Sequence, residues 1–227
     1  MQAQVNFGVL VRAVDITDEM CIVGLRDGSI KMFPLDNLEQ MDTLMESHAD
    51  GEVWGLDHMD IGPYIMTSAD DNSHMIIDTN EHSVIDEALI TEEMVHGNGP
   101  VTMSAWPASQ QSRAVALGGM NGMMAVAAND GRIYFKQGDI DDAPKAVVKT
   151  SDNWISCMKW CPHKKFLAAG SMDGKVYLFT SDFKLHGKLE GHTTGIVSVD
   201  WAEESKGLKT TSMNHELLFW TFPDCKQ

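Results

Sequence analysis

Serine, histidine and acidic side chains recur together along this chain. His48, Ser68 and Asp71 fall in one stretch; His192, Ser212 and Asn214 fall in another, with Trp220 just beyond. In a hydrolase these residue types supply a nucleophile, a general base and the group that orients the base. A reaction needs one such set, whereas this chain repeats it. Asp173 marks a further occurrence, with Phe179 near it and no matching histidine. Repetition points to a structural use, in which hydroxyl, imidazole, carboxylate and indole hydrogen-bond together and satisfy buried polar groups. No catalytic residue is assigned.

Other chemistry finds less support. The Gly118-Gly119-Met120-Asn121-Gly122 cluster lacks the phosphate-loop spacing and its following lysine. Asp139, Asp141 and Asp142 lack the central glycine and terminal glutamate of a calcium loop. His215-Glu216 is not followed by the second histidine of a zinc protease helix. Cys21, Cys157, Cys161 and Cys225 form no C-x-x-C pair. We therefore expect no metal and no cofactor. With 33 acidic against 17 basic residues and a net charge of −16, the 227-residue chain is poorly suited to nucleic acid or to an acidic membrane surface. Its 43% hydrophobic and 22% charged content is that of a folded protein, and the reading is of a soluble, reducing, intracellular one.

The elements that must position these residues form a repeat. MAVAANDGRIYFKQ from Met124 and LAAGSMDGKVYLFT from Leu167 share an apolar strand, an Asp-Gly turn and an alternating strand. The module returns from Cys21, Tyr64 and Leu208, with turns at Asp27, Asp71, Asp130, Asp173 and Asn214. Two-residue turns of this type suit hairpins because they tolerate positive φ. A further strand precedes each hairpin: VLVRAVDI from Val9, VWGLDH from Val53, VTMSAW from Val101, WISCMKW from Trp154 and IVSVDW from Ile196. Polar outer strands are expected at Ser83–Leu89, Lys145–Thr150 and Lys184–Glu190. Four short strands every ~40–45 residues predict an all-β chain of propeller blades. The approximate blades are 7–47, 48–97, 98–150, 151–190 and 191–227. The longer interval between the turns at Asp71 and Asp130 is assigned to an insertion at Ala108–Gly122, with a rival register that uses Asn121-Gly122 as the hairpin turn.

His48, Ser68, Asp71, Asp173, His192, Ser212, Asn214 and Trp220 then fit the structural network of WD40 blades. HADGEVWGLD from His48, WISCMKWCPHKKFLAAGSMDGKVYLF and the final GHTTGIVSVDW with SMNHELLFWTFPDCKQ resemble repeats of the echinoderm microtubule-associated-protein-like family, in order over nearly the whole chain. That resemblance implies part of a tandem atypical propeller: a non-enzymatic scaffold for tubulin, microtubules or microtubule-associated proteins, in the cytoplasm, the microtubule cytoskeleton or a ciliary axoneme. The alternative is a WD40 adaptor in a ubiquitin-ligase or trafficking complex. About five blades, finishing on a third strand, predict an arc completed by the remaining blades of a longer chain. Tubulin is acidic like this chain, so contact must come from local patches, for which Lys159, Lys164, Lys165 and Lys175 are candidates.

Overall fold

A computed structural model describes residues 5–17, 19–38, 40–45, 52–59, 62–71, 73–89, 112–137 and 144–226. These form five antiparallel sheets whose strands lie side by side in chain order. The first contains β1 (Val11–Ile16), β2 (Met20–Leu25), β3 (Ile30–Pro34) and β4 (Asp42–Met45). The second contains β5 (Val53–His58), β6 (Tyr64–Ala69), β7 (Ser73–Asp78) and β8 (Ser83–Leu89). The third contains β9 (Ser112–Ala116), β10 (Met123–Ala128), β11 (Arg132–Gln137) and β12 (Ala146–Lys149). The fourth contains β13 (Ile155–Trp160), β14 (Phe166–Ser171), β15 (Lys175–Thr180) and β16 (Leu185–Glu190). The fifth has three strands, β17 (Ile196–Trp201), β18 (Gly207–Ser212) and β19 (Leu217–Thr221). Consecutive first strands β1, β5, β9, β13 and β17 pack against one another. The sheets are blades of a β-propeller, and these strands line its axis.

The middle strands explain why the blades stack. A blade covered on both faces needs a continuous apolar run rather than alternation, and all six residues of β10, MMAVAA, are buried. Phe135, Trp160 and Phe179 meet between the third and fourth blades. Val176, Leu178, Trp201 and Trp220 join the fourth to the fifth. Burying each such side chain contributes about 1.5–3 kcal/mol, so packing between blades dominates wherever the polar network is thin.

The repeated hairpin is wider than a two-residue turn. Gly28 N–H donates to Leu25 C=O at 3.2 Å while Leu25 N–H donates to Ser29 C=O at 2.9 Å, closing a three-residue loop. The aspartate before each glycine caps this loop: Asp27 accepts from Ser29 N–H at 3.1 Å, Asp130 from Arg132 N–H at 3.0 Å and Asp173 from Lys175 N–H at 3.0 Å. Gly28, Gly131 and Gly174 take φ of 83°, 81° and 81°, a left-handed conformation that glycine adopts without strain.

The third blade corrects the sequence-based register. The Val101 strand lies outside the described residues, and β9, inside the supposed insertion, is the strand that pairs with β10. Its RAVA sequence is short, but Ala114 and Ala116 are small enough to be fully enclosed between neighbouring blades. Asn121 and Gly122, with φ of 59° and 71°, turn the chain from β9 into β10, while Asp130-Gly131 turns β10 into β11. Both glycine-containing turns are therefore used. Leu38–Glu46, the stretch with the most helical composition, contributes the outer strand β4. Among the described residues no helix is long and apolar enough to cross a membrane.

Candidate functional site

Among the described residues singled out from sequence, Asp71, Asp173 and Asn214 sit in hairpin turns, Ser68 and Ser212 lie on the strands that lead into them, and Trp220 lies on β19. In the fifth blade, Trp220 Nε1–H donates to Thr210 Oγ1 at 2.8 Å, and His192 Nε2 lies 2.6 Å from the same oxygen. His192 Nδ1 is 3.2 Å from Glu216 Oε2, which also accepts from Ser212 Oγ–H at 2.9 Å and from Thr193 N–H at 3.0 Å. Asn214 accepts from Ser212 Oγ–H at 2.7 Å and donates through Nδ2 to Thr193 Oγ1 at 2.6 Å. The structure thus brings His192, Ser212, Asn214 and Trp220 into one network, but Thr210 and Glu216 are its centre. The donors from Thr193 and the Ser212 hydroxyl hold Glu216 well below the usual carboxylate range, at about 2. Sequence reading took Asn214 as the acidic position; the carboxylate sits two residues later, and the alternation of β18 marks Thr210 as buried.

In the fourth blade a serine replaces the missing histidine. Ser151 Oγ–H donates to Asp173 Oδ2 at 2.9 Å and accepts from Ser171 Oγ–H at 3.0 Å. Tyr177 O–H donates to the same carboxylate at 2.6 Å. Burial raises Asp173, but these donors outweigh it and leave the carboxyl below its ordinary value. In the second blade Asp71 accepts from Ser73 N–H at 2.9 Å and Ser73 Oγ–H at 2.6 Å. Ser68 Oγ is buried with no hydrogen-bond partner among the described residues. His48 lies outside the described residues.

Two further constellations occupy the ends of the axis. At the lower end, where the inner strands finish, their fifth residues are Asp15, Asp57, Ala116, Lys159 and Asp200. The residue after the equivalent position in each following blade bonds back to them. His58 Nδ1 is 2.5 Å from Asp15 Oδ2, and Leu117 N–H donates to Asp57 Oδ2 at 2.7 Å. Trp160 Nε1–H donates to Ala116 C=O at 3.3 Å, and Trp201 Nε1–H to Lys159 C=O at 3.0 Å. Lys159 reaches from the fourth blade to Asp57 at 3.0 Å and Asp15 at 3.4 Å. Burial raises the Asp57 carboxyl to about 6 against the pull of Lys159. Burial also works against the Lys159 ammonium, but Asp57 and Asp15 reverse this and hold it above its usual value. Asp15 is lowered by His58 and Lys159 despite its burial, and His58 is raised in return.

Asp15, Asp57 and His58 have ligand atoms within 4.8 Å of one another, a spacing suited to a metal ion. The Lys159 ammonium already supplies the positive charge there, so the geometry describes an internal ion cluster. A cavity of about 260 Å³ opens beside it, lined in part by Asp57, His58, Lys159 and Trp201. The lysine patch expected from sequence is dispersed: Lys159 belongs to this cluster and Lys175 pairs with Glu190 at 2.8 Å.

At the upper end, where the inner strands begin, each strand carries a bulge at its second residue. The register skips Arg12, Trp54, Arg113, Ser156 and Val197. A bulge bends the strand and re-aims the side chain. Arg113 packs over two indoles that meet edge to face at 5.5 Å, with its guanidinium carbon 4.4 Å from the Trp54 ring centre and 4.6 Å from that of Trp154. Arg12 lies 5.1 Å from the Trp54 ring. Asp70 accepts from Trp54 Nε1–H at 2.8 Å and pairs with Arg113 at 2.8 Å. Glu52 receives Arg12 Nε at 2.6 Å and Arg26 Nε at 2.8 Å. Sequence reasoning missed this group because its members are spread over four blades; the bulge that gathers them has no residue signature.

The WD domain, G-beta repeat family matches residues 143–180. A ciliary WD repeat-containing protein, ctxp80, of Euplotoides octocarinatus is 34% identical over 98% of this chain and 31% of its own length. Rat echinoderm microtubule-associated protein-like 1 is 27% identical over 81% of this chain, and rat protein-like 2 is 35% identical over 39%. The chain spans about a third of the ciliary relative and 21% and 15% of the other two. A chain of the solved mitotic checkpoint complex superposes with a TM-score of 0.74 over 95% of this chain and 62% of its own, at 13% identity, which shows the fold alone. The bladed architecture, the matched repeat and the relatives together place this chain among the WD40-repeat propeller proteins, with its sequence likeness in the ciliary WD repeat and echinoderm microtubule-associated protein-like group.

Proposed function

We propose that the chain is part of a non-enzymatic, microtubule-associated propeller scaffold that mediates protein–protein contacts in the cytoskeleton, with the ciliary axoneme as a location. The observation that carries this reading is the likeness to a ciliary WD repeat protein along 98% of the chain. The chemistry agrees with it. His192 links the Thr210 hydroxyl to Glu216, but Thr210 is fully buried, the His192 side chain is 1% exposed and the hydroxyl also accepts from the Trp220 indole, so no substrate reaches the chain of bonds. The set His48, Ser68, Asp71, Asp173, His192, Ser212, Asn214 and Trp220 acts in this reading to brace blades, which divide at 7–47, 48–97, 98–150, 151–190 and 191–227.

The fifth blade supports a larger assembly. Leu217 and Phe219 on β19 are 51% and 63% exposed, and β19 is an edge strand among the described residues. Uncovered apolar edges are aggregation sites, so we assign this edge to the remaining blades of a longer polypeptide.

The test is co-sedimentation of the full polypeptide with stabilised microtubules across a salt series. Pelleting that weakens as salt rises supports the proposal. No pelleting at any salt overturns it and favours an adaptor in another intracellular complex. A serine-reactive phosphonate should leave Ser68 and Ser212 unlabelled; labelling of either would contradict the non-enzymatic reading.

A further inference from the structure

The upper mouth of the propeller concentrates a rare resource of this chain. Only four arginines occur in the sequence, and three of them, Arg12, Arg26 and Arg113, meet there; Arg132 is the fourth. They come from two blades and share the site with Trp54 and Trp154 from two others. The bulges of β1, β5 and β9 fall on Arg12, Trp54 and Arg113, so the backbone itself is shaped to deliver these side chains. Bracing the blades requires far less. Arg113, with its side chain 11% exposed, already pairs with Asp70 and covers both indoles. Arg12 and Arg26 both converge on the single carboxylate of Glu52, and each does so through Nε. The Arg12 and Arg26 side chains are 30% and 57% exposed, so both keep guanidinium surface open to solvent. Three guanidinium groups against two carboxylates leave a positive centre on a chain of net charge −16.

We propose that this Arg12–Arg26–Trp54–Arg113–Trp154 mouth is a docking surface for an extended acidic peptide segment, a run of Asp and Glu side chains on a partner protein. The Nη forks of Arg12 and Arg26 match carboxylates in bidentate geometry. The half-buried indoles offer rigid apolar faces beside them, the combination that dominates protein interfaces. Arg113, locked in place, pre-orients Trp54 and Trp154 and adds positive potential without needing to move. The proposal deepens the scaffold reading by naming its contact face, yet it is tested without any microtubule, so failure of one leaves the other standing.

The experiment is fluorescence anisotropy of a labelled octaglutamate peptide titrated with the full chain. Binding should weaken about tenfold when ionic strength rises from about 0.05 to about 0.3 M, because screening acts on exposed charges. Arg26→Glu should weaken it at least about fivefold and Arg12→Ala with Arg26→Ala about tenfold, in the range of one or two lost exposed charge pairs. Lys184→Glu, on a side chain 79% exposed that pairs with Asp182, is the charge-matched control and should leave binding unchanged. Arg26→Lys keeps the charge without the fork and should fall between wild type and Arg26→Glu. Far-UV circular dichroism of each variant establishes folding; Arg26 is exposed enough that its replacement leaves the core intact. No binding by the wild type, equal loss in the Lys184→Glu control, or binding to a phosphoserine peptide but not to octaglutamate would overturn the proposal.

Discussion

Lys159→Met tests whether the lower-mouth ion cluster holds the first, second and fourth blades together. The substitution keeps the aliphatic stem and deletes the charge that neutralises Asp57 at 3.0 Å and Asp15 at 3.4 Å. Asp57 is 3% exposed, so a carboxylate without the ammonium is poorly hydrated. Removing one partner of such a buried pair costs about 3–5 kcal/mol. Lys159 is itself 31% exposed, which argues for the lower end, about 3 kcal/mol at pH 7. For a chain of this size that is a fall in Tm of about 6–12 °C. The deficit has a predictable pH dependence. The folded Asp57 carboxyl titrates near 6, above the usual value of 3.8, and without Lys159 it rises further. Between 3.8 and the folded value the native state binds more protons than the unfolded chain, so stability falls as pH rises, by at most about 1.4 kcal/mol per unit. Wild-type Asp57 itself protonates near 6, so the deficit opens mainly between pH 6 and 7, and acidification to pH 4.5 should shrink it by about 1.4 kcal/mol, to roughly half its value at pH 7. Adding Asp57→Asn removes the stranded charge and keeps an acceptor for Leu117 N–H, and should restore most of the loss. Urea unfolding at pH 4.5 and 7 measures all of this. A Lys159→Met variant as stable as wild type at pH 7, or one whose deficit grows in acid, would refute the reasoning.

Three further outcomes follow from the geometry. Thr210→Val keeps the shape but strands the Trp220 and His192 nitrogens, and should cost about 2–3 kcal/mol by urea denaturation; an unchanged midpoint would remove Thr210 from the centre of the network. Glu216 lies below its usual value of 4.5, at about 2, so the stability it contributes is present above pH 4.5 and lost as pH falls toward 2. Glu216→Gln should accordingly flatten the acid limb of the stability profile, and an identical limb would contradict its role. Gly131→Ala should destabilise much more than Gly118→Ala: both have left-handed φ, but a Cβ at Gly131 collides with the Ser151 and Asn153 carbonyls, whereas nothing lies within 4 Å at Gly118. Equal melting temperatures would show that the packing at Gly131 is not tight.

The blade repeat was legible because two local signals coincide in it. Apolar strands flank an aspartate whose side chain caps a loop ended by a left-handed glycine, and this recurs at Asp27, Asp130 and Asp173. The third blade misled because the described inner strand, Ser112–Ala116, is built from small residues that carry little β signal, whereas Val101–Trp106 has a conspicuous strand pattern. Its position is decided by inter-blade packing, seen where Gly119 leaves no room for a Cβ against the Trp160 ring. The bracing networks were half legible. Histidine and tryptophan are rare enough to mark the fifth blade, but Glu216 and Ser151 take over roles from positions that sequence assigns to Asn214 and to an absent histidine. Neither mouth of the axis was legible. Asp15, Asp57 and Lys159 occupy equivalent positions of three strands separated by 42 and 102 residues (the separations of Asp15 from Asp57 and of Asp57 from Lys159), and only ring geometry makes them neighbours.

As proposed above, this propeller is a scaffold part of a microtubule-bound protein. Cryo-electron microscopy of microtubules decorated with the full polypeptide tests it most directly. Bladed density should repeat along the lattice, with the Leu217 and Phe219 edge covered by further blades. Undecorated lattices, with the same protein found instead as a soluble particle in another complex, would contradict it.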